Sequence, residues 1–180
     1  AEEEYLVTLY SDHGVPVFTE DHYIVSPELT RAAWMMRGAG VPAGASCDEM
    51  TSAVDIYPTL AHLLHFPLPQ PIDGVLPQLF GGPGREIAFS SSLYPGRTFC
   101  LRARMLTHTF HLETRGGVLP NGTVDLAHAE TAIYPRTHEG LAGYDIDSAA
   151  LRAFFYPRVR EFLQRIASNG EVFPEPSVKA

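Results

Sequence analysis

The chain is poor in the residues that mark the most easily recognised classes of protein. Its 180 residues include two cysteines, Cys47 and Cys100, and one lysine, Lys179. The cysteines show no C-x-x-C spacing and have no histidines clustered beside them, so they read as buried or free thiols and not as a zinc site. Twelve arginines and that lysine stand against 21 acidic residues, giving a net charge of -8. That balance argues against a general nucleic-acid surface. Long apolar runs are also missing. The one around Tyr5 to Tyr10 falls far short of the roughly 20 residues that cross a bilayer, so no membrane span is expected. No charged-then-apolar leader opens the sequence, and the compartment stays open because any leader would precede Ala1.

What is present is ordinary globular composition: 45% hydrophobic, 11% aromatic and 19% charged residues. A chain of this length buries roughly 70% of the surface it exposes unfolded, enough for a core without disulfides or a structural metal. Tyr5-Leu6-Val7-Thr8-Leu9-Tyr10 is a continuous β-prone run of the kind buried on both faces of a parallel sheet. It stops at Ser11-Asp12-His13-Gly14, polar residues at the carboxyl end of a strand, where open α/β sheets place their ligand sites. Val15 to Ser26 reads as a loop. Thr30 to Met36 reads as a second buried strand, closed by Arg37-Gly38-Ala39-Gly40.

Val54, Tyr57, Leu60, Ala61 and Leu64 repeat at helical steps, predicting a helix that begins near Ile56 with Pro58 in its first turn and runs to His65. Phe66 to Arg85 is rich in proline and glycine and marks the expected boundary between a first part, residues 1–80, and a second, residues 81–180. Beyond it the pattern shortens to strands at Glu86 to Ser91, Thr98 to Arg104 and Thr107 to Glu113, which implies an antiparallel sheet. Leu119 to Gly143 has no clear period, and Asn121-Gly122-Thr123 within it reads as a turn that carries sugar only if the protein is secreted. Asp147 or Ser148 caps a last helix with an apolar stripe through Leu151, Phe154, Phe155, Val159, Phe162, Leu163 and Ile166, where Pro157 marks a kink or a break and Asn169-Gly170 the end.

Asp12 and His13 offer an oxygen and a nitrogen donor side by side, both divalent-metal ligand types, with Gly14 allowing the backbone to turn close to an ion. On residue types alone the pair reads first as a turn or cap aspartate and a hydrogen-bonded surface histidine, and only second as ligands. Other templates are missing: G-x-S-x-G, a P-loop, G-x-G-x-x-G after a strand and H-E-x-x-H. His108 and His111 are three apart in a strand, so they point to opposite faces and read as solvent or edge histidines.

The order of motifs is more specific than any one of them. S-D-H-G is followed by R-G-A-G-V-P-A-G, then S-A-V-D-I-Y-P-T-L-A-H-L-L, I-D-G-V-L-P-Q-L-F and G-G-P-G-R-E. This series resembles the C-terminal third of the sulfatase family within the alkaline phosphatase superfamily, over roughly Tyr5 to Arg104. The resemblance implies an α/β fold: the end strands of a large mixed sheet, followed by a small antiparallel sheet with a C-terminal helix. It further implies that Asp12 and His13 are two ligands of one divalent cation, calcium above manganese or magnesium, acting on an anionic sulfate ester. Asp55 and Pro58 to Leu60 match the family's helix as scaffold, and Asp73-Gly74 matches a turn. Glu28 and Arg31 match a stretch read as a structural ion pair.

The departures from the pattern matter as much. The family's G-E-H-G stretch and nearby anion-binding lysine are replaced by Glu20-Asp21-His22-Tyr23, leaving His22 as the candidate anion contact. The formylglycine motif C/S-x-P-x-R is missing; Leu93-Tyr94-Pro95-Gly96-Arg97 has leucine where the attacking group belongs. The expectation is therefore part of a sulfuric ester hydrolase with two metal ligands and no catalytic nucleophile, silent alone and prone to self-association or to pairing with an N-terminal part. The alternatives are phosphate or phosphonate ester chemistry on the same scaffold, or a non-catalytic binding module.

Overall fold

The structure, a computed structural model, describes residues 5–15, 25–138, 145–146 and 148–169. The chain divides into two compact units, Ala1–Ala88 and Phe89–Ala180. Together they make a mixed α/β protein with a four-stranded antiparallel sheet, smaller two-stranded sheets and a C-terminal helix.

In the first unit β1 (Leu6–Tyr10) pairs with β2 (Trp34–Gly38), with Leu6 opposite Gly38 and Tyr10 opposite Trp34. The pairing is antiparallel, not the parallel one that the uninterrupted run of β-formers suggests. Nor is the run buried on both faces: Val7 and Leu9 are more than half exposed, as is Met35 opposite Leu9. β-propensity fixed the strand, but the missing polar alternation reports two apolar faces, which is a different thing from two covered ones. Between these strands lies the single-turn helix α1 (Pro27–Thr30), where Ser26 accepts from the Leu29 amide and Pro27 takes the first turn. The Glu28–Arg31 ion pair does not form, because Arg31 has left the helix and its amide serves to cap it on the Pro27 carbonyl.

After a 3-10 turn at Ala53–Asp55, helix α2 (Ile56–Leu64) begins where the sequence predicts, with Pro58 in its first turn. It ends on His65, which adopts the left-handed conformation (φ 55°). The side turned inward carries Pro58, Thr59, Ala61 and Leu63, whereas Val54, Tyr57 and Leu64 of the expected stripe are exposed.

The second unit is built on β3 (Ala88–Ser92), β4 (Phe99–Arg104), β5 (His108–Thr114) and β7 (Ala129–Pro135), in the spatial order β3-β4-β5-β7. The short β6 (Val124–Asp125) sits in the connection between β5 and β7. Leu101 faces Leu112, and Phe110 lies between Ala103 and Ile133, so one sheet face is continuously apolar. Helix α3 (Ala149–Arg165) covers that face with Phe155, Val159 and Leu163, a stripe at four-residue steps. The Phe155 ring lies 5.9 Å from that of Phe110, and Phe162 stacks on Phe89 at 4.7 Å.

Ser148 caps α3 by accepting from the Leu151 amide. Pro157 lies inside the helix without ending it. The ring disturbs the preceding turn, and the Arg158 guanidinium, folded over the Phe154 ring, donates to the Phe154 carbonyl at 2.9 Å. The helix closes at Arg165, before Asn169. Ser168–Asn169 forms β8, parallel to β6, because the chain leaving the helix supplies the partner Val124 and Leu126 need.

Candidate functional site

The end of β1 is tied down before its functional side chains begin. Ser11 extends the ladder twice, donating its amide to the Ala33 carbonyl at 3.0 Å and accepting the Ala33 amide on its hydroxyl at 2.8 Å. Three residues on, the Gly14 amide donates to the Leu29 carbonyl of α1 at 2.9 Å. A Cβ at position 14 would sit 2.0 Å from the Glu28 carbonyl oxygen, so glycine is required here for approach to α1. That is a different reason from the expected approach of backbone to an ion.

Between these anchors Asp12 and His13 project outward, with side chains 85% and 60% exposed. Asp12 Oδ1 accepts the His13 amide at 2.9 Å. His13 Nδ1 lies 2.7 Å from the Gly14 carbonyl, which can only accept, so Nδ1 is the donor of that contact. Nε2 stands 3.6 Å from Asp12 Oδ2. This sets one oxygen and one nitrogen donor side by side, donor types that a divalent cation takes, in a geometry that is also that of a local Asp–His contact. The residues fit two positions of a divalent site. Among the described residues no group of three or more His, Cys, Asp or Glu side chains comes together to complete one. His22, the candidate anion contact, lies outside the described residues.

The other motifs converge on Asp55, which is 1% exposed. Its Oδ2 accepts the Ser52 amide at 2.8 Å and Arg85 Nε at 2.8 Å; its Oδ1 accepts the Val75 amide at 2.7 Å and faces Arg85 Nη2. Arg85 Nη2 also donates to the Asp73 carbonyl at 2.8 Å. Thus the aspartate of S-A-V-D, the I-D-G-V turn and the arginine of P-G-R form one clamp, with Gly74 against the Val54 carbonyl where a Cβ would lie 2.2 Å from its oxygen. Asp55 and Asp73-Gly74 are scaffold, as their motif positions suggest. Arg85 as the aspartate's partner was not foreseen; an arginine after G-G-P-G was the available signal.

Glu49 performs a parallel task, accepting the Gln78 and Leu79 amides at 2.9 and 3.2 Å and so capping the 3-10 turn Gln78–Phe80. Burial raises its carboxyl pKa, but the Gln78 amide, the Cys47 thiol and the Leu79 amide outweigh that and hold it below the ordinary carboxylate value.

His108 bonds locally to Thr107, whereas His111 is neither a solvent nor an edge histidine. Its side chain is 15% exposed, stacked near Tyr134 and 3.5 Å from Glu113, because β5 is an interior strand. Beside α2 an open groove of about 490 Å³ is lined by Pro58, Ala61, His62, Phe66, Ile72 and Leu76, among others; it shares no residue with the Asp12–His13 pair. No helix among the described residues is long and apolar enough to cross a membrane. Set against family models, curated proteins and solved structures, the chain matches none.

Proposed function

We propose that this chain carries part of the metal site of a sulfatase-type ester hydrolase, supplying Asp12 and His13 as two ligands of a divalent cation. The observation that supports the reading is the placement of the His13 ring, which the Nδ1–Gly14 carbonyl contact holds with Nε2 3.6 Å from the Asp12 carboxylate, on a strand end anchored at Ser11 and Gly14. A cation held there supplies Lewis-acid polarisation of an anionic ester. The chain's own part is to hold the two donors in place and keep Nδ1 protonated.

The nucleophile, its orienting arginine and the remaining acidic ligands come, in this reading, from polypeptide preceding Ala1. The exposed apolar β1–β2 face is where such a part would pack. Sulfate esters are the first substrate class. Phosphate or phosphonate esters are the second, favoured by one feature: an imidazole nitrogen in the ligand pair suits manganese better than calcium, which takes oxygen ligands.

Manganese titration of the 180-residue chain, followed by paramagnetic broadening of the histidine ring signals, tests the site. Broadening concentrated on His13 and abolished by Asp12→Asn is the expected result; uniform weak broadening of all exposed histidines would sink the metal reading. The chain alone should not hydrolyse aryl sulfates or aryl phosphonates. Turnover above that of an Asp12→Ala control would show that the nucleophile had been missed. Translation of the coding region upstream of Ala1 separates the substrate classes. C/S-x-P-x-R there supports formylglycine sulfatase chemistry, a serine or threonine without that context supports the phosphatase type, and no nucleophile at all favours a binding module.

A further inference from the structure

Asn121-Gly122-Thr123 is the one N-x-S/T sequence in the chain, since the other asparagine, Asn169, is followed by glycine and glutamate. The structure places it at the tip of the exposed turn between β5 and β6. The turn is closed by two backbone bonds, Leu119 N–H to the Thr123 carbonyl and Gly122 N–H to the Leu119 carbonyl, both 2.8 Å. Gly122 holds the tip at φ 83°, and a Cβ placed on it meets nothing within 4 Å, so the space over the turn is open.

The Asn121 side chain is poised within this frame. Its Oδ1 accepts the Thr123 amide at 3.0 Å, while its Nδ2 makes no hydrogen bond among the described residues. The amide oxygen is therefore occupied and polarised by the Thr123 amide, on a residue that is itself exposed. Two residues of backbone separate this tip from Val124, which is fully buried, so a bulky group at Asn121 extends into solvent without entering the core.

We propose that Asn121 is a carbohydrate-attachment site whose donor is a polyprenyl-pyrophosphate-linked oligosaccharide. Nδ2 attacks the anomeric carbon and a C–N bond forms. The anomeric C–O bond breaks, the polyprenyl pyrophosphate leaves with the bonding pair, and the Nδ2 proton passes to a base of the transferase. The proposal stands apart from the hydrolase reading and uses none of its residues.

The full 180-residue chain, expressed in eukaryotic cells behind a cleavable secretory leader, provides the test. The tryptic peptide Gly116–Arg136 from total cell protein plus medium should carry a glycan mass removed by peptide-N-glycosidase, leaving Asp at position 121. Asn121→Gln and Thr123→Ala should each abolish the modification and Thr123→Ser should retain it. Circular dichroism of the variants shows that folding is unchanged. An unmodified peptide from wild-type chain that has entered the secretory pathway overturns the proposal, as does a glycan that persists in Thr123→Ala.

Discussion

Asp55 presents both carboxylate oxygens to two backbone amides and one guanidinium in a buried site, which makes Arg85 its only counter-charge there among the described residues. Removing the cation leaves a buried carboxylate with two amide partners and no counter-charge, so Arg85→Ala should destabilise the first unit by about 3 kcal/mol in urea unfolding. A loss below about 1 kcal/mol would mean that the pair behaves like an exposed one.

The two thiols separate by burial. Burial, with Glu113 adding to it and Arg102 opposing it, pushes the Cys100 thiol up to about 11, while Cys47 is exposed though raised by burial and by Glu49. A disulfide-exchange reagent at pH 8 should therefore modify Cys47 in the folded chain and Cys100 only after unfolding. The neutral Cys100 thiol is favoured by folding, so its contribution is complete below the unfolded value of 9.0 and is lost as pH rises through about 11. The Glu49 carboxylate works in the opposite sense, stabilising the fold above its ordinary value and ceasing to do so as acid protonates it. At this scale sequence identified Asp12, His13 and Asp55 as polar residues at element ends. It could not show that Arg85 would reach back to the Asp55 carboxylate and Glu49 forward to the Gln78 and Leu79 amides, each across some thirty residues, because neither stands in a local pattern.

Helix α2 closes on a residue poorly suited to its conformation. His65 sits at φ 55° and ψ 40°, a region that costs a side chain with a Cβ about 1 kcal/mol. His65→Gly should raise stability by roughly that amount in thermal melts, and a fall would show that the imidazole makes a compensating contact. Periodicity located this helix, the three strands Ala88–Ser92, Phe99–Arg104 and His108–Thr114, and the Ser148 cap of α3. It failed for β7, whose Ala129-Glu130-Thr131-Ala132 opening has little apolar alternation and becomes a strand through its seven-residue pairing with β5. At Pro157 the helix continues instead of breaking, because tertiary burial of Phe155 and Val159 on either side outweighs one missing amide.

For the whole molecule, the exposed apolar face of the β1–β2 ladder is the feature most at odds with an isolated existence. A two-stranded sheet is marginal alone, and Val7, Leu9 and Met35 on one face form a sticky surface. Size-exclusion chromatography with light scattering should show concentration-dependent association that Leu9→Glu reduces. A monomer at every concentration would count against both self-association and a missing packing partner. The sequence signalled this region as a strand of a larger sheet, but which strands lie beside it depends on residues distant in the chain.

The parallel pairing of β6 with β8 sets an order for synthesis. The Val124 amide is satisfied by the Ala167 carbonyl at 2.8 Å and the Leu126 amide by that of Asn169 at 3.0 Å. All four strands of the antiparallel sheet are synthesised before α3, which covers them, and the β6 segment waits longer still for its hydrogen-bonding partners. The second unit consequently becomes a closed body only near the end of its own translation. Until then Phe99, Leu101, Phe110 and Leu112 lie open to whichever chaperone is nearest.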